Sequence, residues 1–82
     1  MPQESPKADK ALAITLRRLR EERGQTQETV AFYAGITTAS LARIELGQSN
    51  PAWSTVRKIA KALGVSLGDL SAAVEKESGA SR

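Results

Sequence analysis

Apolar residues recur at helical spacing along most of the chain. Leu12, Leu16 and Leu19 fall at i, i+4 and i+7, and Ala8 and Ala11 extend the stripe backwards. The surrounding Leu, Ala, Arg and Glu are good helix formers, and Gly24 offers a stop. The pattern predicts a first helix over Lys7–Arg23. Thr26 is placed to cap a second helix, whose apolar face is Val30, Ala31 and Ala34, ending at Gly35. Thr37 caps a third, with Leu41 and Ile44 turned inward and Gly47 as its stop. Gly47-Gln48-Ser49-Asn50-Pro51 is dense in turn formers and reads as a loop. Trp53, Val56, Ile59, Ala60 and Leu63 then recur at 3–4 spacing up to Gly64, so Trp53 is expected to head a core stripe. Ser66 and Asp69 form an S-x-x-D start for a fifth helix with Leu67, Leu70 and Val74 on its apolar face. No segment alternates with period two. The prediction is an all-α, compact five-helix bundle.

Composition narrows the chemistry. Eighty-two residues suit one small domain. Met1–Pro6 contains two prolines and reads as a flexible arm, 7–75 as the folded domain, and 76–82 as a flexible polar tail. The sequence has no His and no Cys. Disulfides, His- or Cys-ligated zinc and a nucleophile–histidine pair are therefore excluded. No cofactor is expected and no convergent acid–base set is visible, so the reading is not an enzyme. No apolar run approaches the ~18 residues of a membrane span, and residues 1–10 lack a signal-peptide core. A cytoplasmic protein is expected.

The net charge of +3 is unevenly spread: residues 1–64 carry 10 basic and 6 acidic side chains, residues 65–82 carry 2 and 3. A basic excess suits a polyanionic partner, although +3 also serves as a plain solubility charge. Arg57, Lys58 and Lys61 read as a solvated face of the fourth helix.

The stretch from Gln25 to Gly47 carries the sharper signal. Two helices of eight or nine residues flank Gly35-Ile36-Thr37, which is helix-turn-helix spacing. Gly35 permits the sharp turn, Ala31 lets the helices approach, and Ile36 plugs the corner. Thr38, Ala39 and Ser40 then face outward at the start of the third helix, with Arg43 one turn on. Short side chains let a helix backbone lie close to base edges in the major groove, and Arg43 can reach a guanine bidentately, or a phosphate. Outside such a motif Arg43 would read as a solvated surface arginine and Thr38 and Ser40 as ordinary helix-start polarity, while Ala39 offers only a methyl contact.

At this point a family resemblance becomes specific. Arg20-x-x-Arg23-Gly24-Gln25-Thr26-Gln27-Glu28-x-Val30-Ala31-x-x-Ala34-Gly35-Ile36-Thr37 resembles the phage-repressor/Cro-like (XRE) helix-turn-helix family. The likeness continues through Leu41-Ala42-Arg43-Ile44-Glu45-x-Gly47 and Ile59-Ala60-Lys61-Ala62-Leu63-Gly64-Val65-Ser66-Leu67. It implies a lambda-repressor-like DNA-binding bundle, with a recognition helix over about Thr38–Leu46. It also implies that Gln27 binds DNA phosphate and braces that helix, and that Arg20 and Glu45 form a partly buried ion pair. Gln48, Asn50 and the helix start at Ala52–Trp53 resemble a second phosphate clamp. The chain departs from the pattern at Ala52, where a capping residue is usual unless Asn50 supplies the cap, and at Leu46, which is usually polar.

The resulting expectation is a sequence-specific double-stranded DNA-binding transcriptional regulator with Gln27, Thr37, Thr38, Ala39, Ser40, Arg43, Gln48, Asn50 and Trp53 at the DNA. It would act as a homodimer on a palindromic operator, paired through Leu67, Leu70 and Val74, which could instead simply close the core. The alternative is a protein-interaction module or antitoxin on the same fold, using Phe32 and Tyr33 as its contact. Those two aromatics are otherwise expected to lean onto the first helix.

Overall fold

A computed structural model describes residues 9–79, and within them five α-helices and no strand. The helices are α1 (Lys10–Glu22), α2 (Gln27–Ala34), α3 (Thr38–Glu45), α4 (Trp53–Leu63) and α5 (Leu67–Gly79). Each start follows from local chemistry. Asp9, in an extended conformation, accepts from the Leu12 N–H; Thr26 accepts from the Thr29 N–H and Thr37 from the Ser40 N–H. Ser66 Oγ does the same for the Asp69 N–H at 3.0 Å. Only α4 begins without a side-chain cap, because Ala52 stands at its N-cap.

Packing buries one stripe of every helix. Leu16, Val30, Ala31, Ala34, Leu41, Ile44, Val56, Ile59, Ala60, Leu63 and Leu70 form a single aliphatic cluster, with Ile36, Leu67 and Val74 half-buried against it. α2 lies on α3 and α4, α1 on α3 and α5, and α4 on α5. The core thus sits directly behind the α2–turn–α3 unit and holds it from both sides.

Several expectations change. α1 begins at Lys10 rather than Lys7, since Asp9 has taken the cap position; Lys7, Ala8 and the arm at 1–6 lie outside the described residues. α5 continues to Gly79, so residues 76–79 are helix rather than tail. The Glu77 carboxylate is held 2.8 Å from Arg18 Nη1 on α1, which gives the last turn a partner. Trp53 is 65% exposed. The α4 stripe closes at Val56, one turn later, and Trp53 lies on the rim of a shallow groove with Leu12, Pro51, Leu67 and Val74. Phe32 and Tyr33 do not lean on α1. They are 78% and 69% exposed and touch each other edge to face at 5.3 Å.

Candidate nucleic-acid interface

The α2–turn–α3 unit is set by its turn and then locked at its open end. Gly35 closes α2 with φ +73°, a left-handed conformation that costs glycine little. The Ile36 N–H bonds back to the Ala31 carbonyl at 3.0 Å, and the Ile36 side chain seats against the core. Thr37 then starts α3. Its hydroxyl accepts from the Ser40 N–H at 3.0 Å and donates to the Ser40 hydroxyl at 2.9 Å. Both hydroxyls therefore serve the helix start, and Ser40 is half-buried rather than fully outward.

The far end of the unit is held by Glu45, the last residue of α3, which is buried. Arg20 Nε donates to its Oε2 at 2.8 Å and Arg20 Nη2 to its Oε1 at 3.0 Å. Gln27 Nε2, from the first residue of α2, donates to the same Oε1 at 2.9 Å. Arg20 Nη1 reaches the Gln25 carbonyl at 2.9 Å, so the guanidinium ties α1 to both α3 and the α1–α2 loop. A two-pronged charge-assisted contact of this kind fixes direction as well as distance. The hydrogen bond to Glu45 raises the Arg20 pKa above its ordinary value, against the desolvation that lowers it. A raised value means that its stabilisation is complete below the ordinary arginine range and fades only above it. The clamp is thus indifferent to rising pH around neutrality.

With Leu41, Ile44 and Glu45 turned inward, the opposite edge of α3 presents Thr38, Ala39 and Arg43 to solvent. Arg43 has no ion pair among the described residues. The arginines Arg17, Arg18 and Arg20 of α1, by contrast, all face carboxylates.

Beyond α3, Gln48 is exposed and its N–H bonds to the Arg43 carbonyl at 2.9 Å. Asn50 does not cap α4. Its Oδ1 accepts from the Asp9 N–H at 3.0 Å, pinning the loop to the start of α1. The first turn of α4 therefore keeps backbone N–H groups without a side-chain acceptor, a geometry that suits an anion. Trp53 and Leu46 are both exposed beside this region of the chain.

The structure thus gathers Arg20, Gln27 and Glu45 into one contact and exposes Thr38, Ala39, Arg43, Gln48 and Trp53. It gives Thr37, Ser40 and Asn50 intramolecular partners. Sequence reasoning missed Gln25, whose side-chain Nε2 reaches the Ala62 carbonyl at 3.4 Å, and the Asp9–Asn50 contact. Neither leaves a periodic signal.

The helix-turn-helix domain family model matches residues 11–74. The chain is 39% identical over 61 residues to the HTH-type transcriptional regulator y4dJ of Sinorhizobium fredii, covering 74% of this chain and 79% of that one. It is 37% identical over 64 residues to the HTH-type transcriptional regulator DdrOP3 of Deinococcus deserti, covering 78% of this chain and 50% of that one. Among solved structures, the restriction-modification controller protein C.AhdI of Aeromonas hydrophila superimposes with a TM-score of 0.71 at 33% identity, over 74% of this chain and 92% of that one. Together with the braced α2–turn–α3 unit, these likenesses fix the assignment: the chain belongs to the helix-turn-helix domain family of DNA-binding transcriptional regulators, of the phage-repressor/Cro-like (XRE) type.

Proposed function

We propose that the protein acts as a homodimer that reads a palindromic operator in duplex DNA, with α3 lying in the major groove. The observation that carries this reading is the two-faced character of α3. One face is buried to its last residue and clamped by Arg20 and Gln27, while the other offers Thr38, Ala39 and Arg43. Short residues at the helix start admit close approach, and Arg43 supplies the long donor for a guanine edge. The Gln27 amide, the Gln48 side chain, and the α4 start at Trp53 hold phosphates on either side. Thr37 and Ser40 set the pitch of α3, and Asn50 holds the clamp loop in place.

In the dimer, α5 meets its counterpart through Leu67 and Val74, which are only half-buried, beside the groove rimmed by exposed Trp53. Leu70 is already buried in the monomer and supports that face from behind. The protein works without catalysis, in the cytoplasm, as a switch set by concentration and dimerisation.

Selection from a random duplex pool tests the proposal directly. The expected product is an inverted repeat with half-sites about one helical turn, ~34 Å, apart, whose binding falls steeply with salt. Binding that is equal on all sequences would overturn it.

A further inference from the structure

The C-terminal end of α2 borders a second surface that the DNA-binding reading does not use. Tyr33, Ala34 and Gly35 form one wall of an open groove; Lys58, Lys61 and Ala62 on α4 form the other. Its volume of about 640 Å³ lies within the ~300–1,000 Å³ range of ligand-holding clefts.

Two properties of this groove are unusual for so small a domain. The first is apolar. Tyr33, on the groove wall, is 69% exposed, and its ring meets that of the neighbouring Phe32 edge to face outside the lining; large aromatics left exposed together commonly mark contact surfaces. The second is electrostatic. α4 carries Arg57, Lys58 and Lys61 with no acidic residue along its length, and among the described residues no acidic side chain lines the groove. Neither lysine has an ion pair among the described residues, whereas carboxylates neutralise Arg17, Arg18 and Arg20 on α1.

We propose that this groove docks an acidic segment of a partner protein. Aspartate or glutamate side chains meet Lys58 and Lys61, and an apolar side chain lies against Tyr33 and Ala34. Charge complementarity selects the partner and speeds encounter, while the aromatic contact supplies the desolvated anchor. A nucleic-acid backbone satisfies the lysines but leaves the Tyr33 ring without an apolar partner, so the peptide fits both properties. The proposal is independent of the operator reading.

Selection of a displayed random peptide pool on the full chain, without DNA, provides the test. The enriched peptide is then labelled with fluorescein and titrated against the native protein, Tyr33→Ala and Lys58→Gln/Lys61→Gln. The expected sequences combine Asp or Glu with Leu, Phe or Trp. Affinity should fall at least tenfold in each variant and weaken with salt, while thermal melting and duplex binding stay unchanged. Three results would each overturn the proposal: a pool with no acidic–apolar enrichment, peptide affinity indifferent to both variants, or lysine substitutions that weaken single- or double-stranded DNA binding as much as peptide binding. The last would make the groove a phosphate track.

Discussion

Glu45→Ala would leave the Arg20 guanidinium with one hydrogen-bond partner among the described residues, the Gln25 carbonyl, and the Gln27 amide with none across the motif. Breaking one side of a buried pair typically costs ~3–5 kcal/mol, because the remaining charge stays desolvated. A loss of that size in urea unfolding is expected here, since the carboxylate side chain is 3% exposed and the guanidinium 12%. A loss below about 1 kcal/mol would place the contact among ordinary surface pairs. Arg43→Ala belongs to the opposite case. No described residue pairs with that side chain, so stability should be unchanged while binding to the selected operator weakens by ~1–3 kcal/mol. An equal loss on random duplex would make Arg43 a phosphate contact. Both expectations rest on residues whose types were legible in the sequence. The fork between Arg20 and Glu45 came from resemblance, with each residue bordering its helix's apolar stripe, and the geometry adds Gln27 as its third member. Thr15 was not legible. It is fully buried on α1 with no hydrogen-bond partner for its hydroxyl among the described residues, and a threonine in a helical stripe gives no hint of that.

At the scale of the element, the five helices were readable because each has an apolar stripe and three of the five also offer a capping residue, Thr26, Thr37 and Ser66; the cap at Asp9 gives α1 a later start than its stripe predicts. What periodicity could not fix was where a stripe leaves the core. Trp53 continues the α4 spacing perfectly well, yet α4 is covered only from Val56 onward, so extrapolating the stripe by one turn put an exposed ring inside. Phe32 and Tyr33 misled in the same way, since hydrophobicity predicts a neighbour without supplying one. α4 also carries a correctable weakness. Ala52 sits at its N-cap in an extended conformation, φ −64° and ψ 157°, with no side-chain hydrogen bond. Ala52→Ser should stabilise the domain by about 1 kcal/mol, read as a higher melting temperature. It should also compete with any anion for the same N–H groups, so operator affinity should not rise with stability. A variant that melts at or below the native temperature would show that the first turn of α4 is already satisfied.

For the whole molecule, two long-range charged contacts tie together helices that the aliphatic core already packs. Arg18 to Glu77 spans the chain from α1 to the last turn of α5, and Arg20 to Glu45 joins α1 to α3. No local pattern announces such pairings, which is why α5 was expected to end early. Because α5 is anchored along its length, its half-buried Leu67 and Val74 are presented on a stiff support. Val74→Ser should shift the monomer–dimer balance in sedimentation at least tenfold toward monomer. A dimer that persists at native strength would take α5 out of the interface.

The link between Asp9 and Asn50 has a practical corollary. The backbone amide at the head of α1 rests on the loop that follows α3, so a reporter group placed there would register any rearrangement of that loop. The chain contains no cysteine, and Lys10→Cys would therefore create a unique thiol for a fluorescent dye. A probe at Gly79, at the other extremity of the described chain, would ride on α5 instead. Comparing their emission on addition of duplex would separate local adjustment of the loop from motion of the whole body.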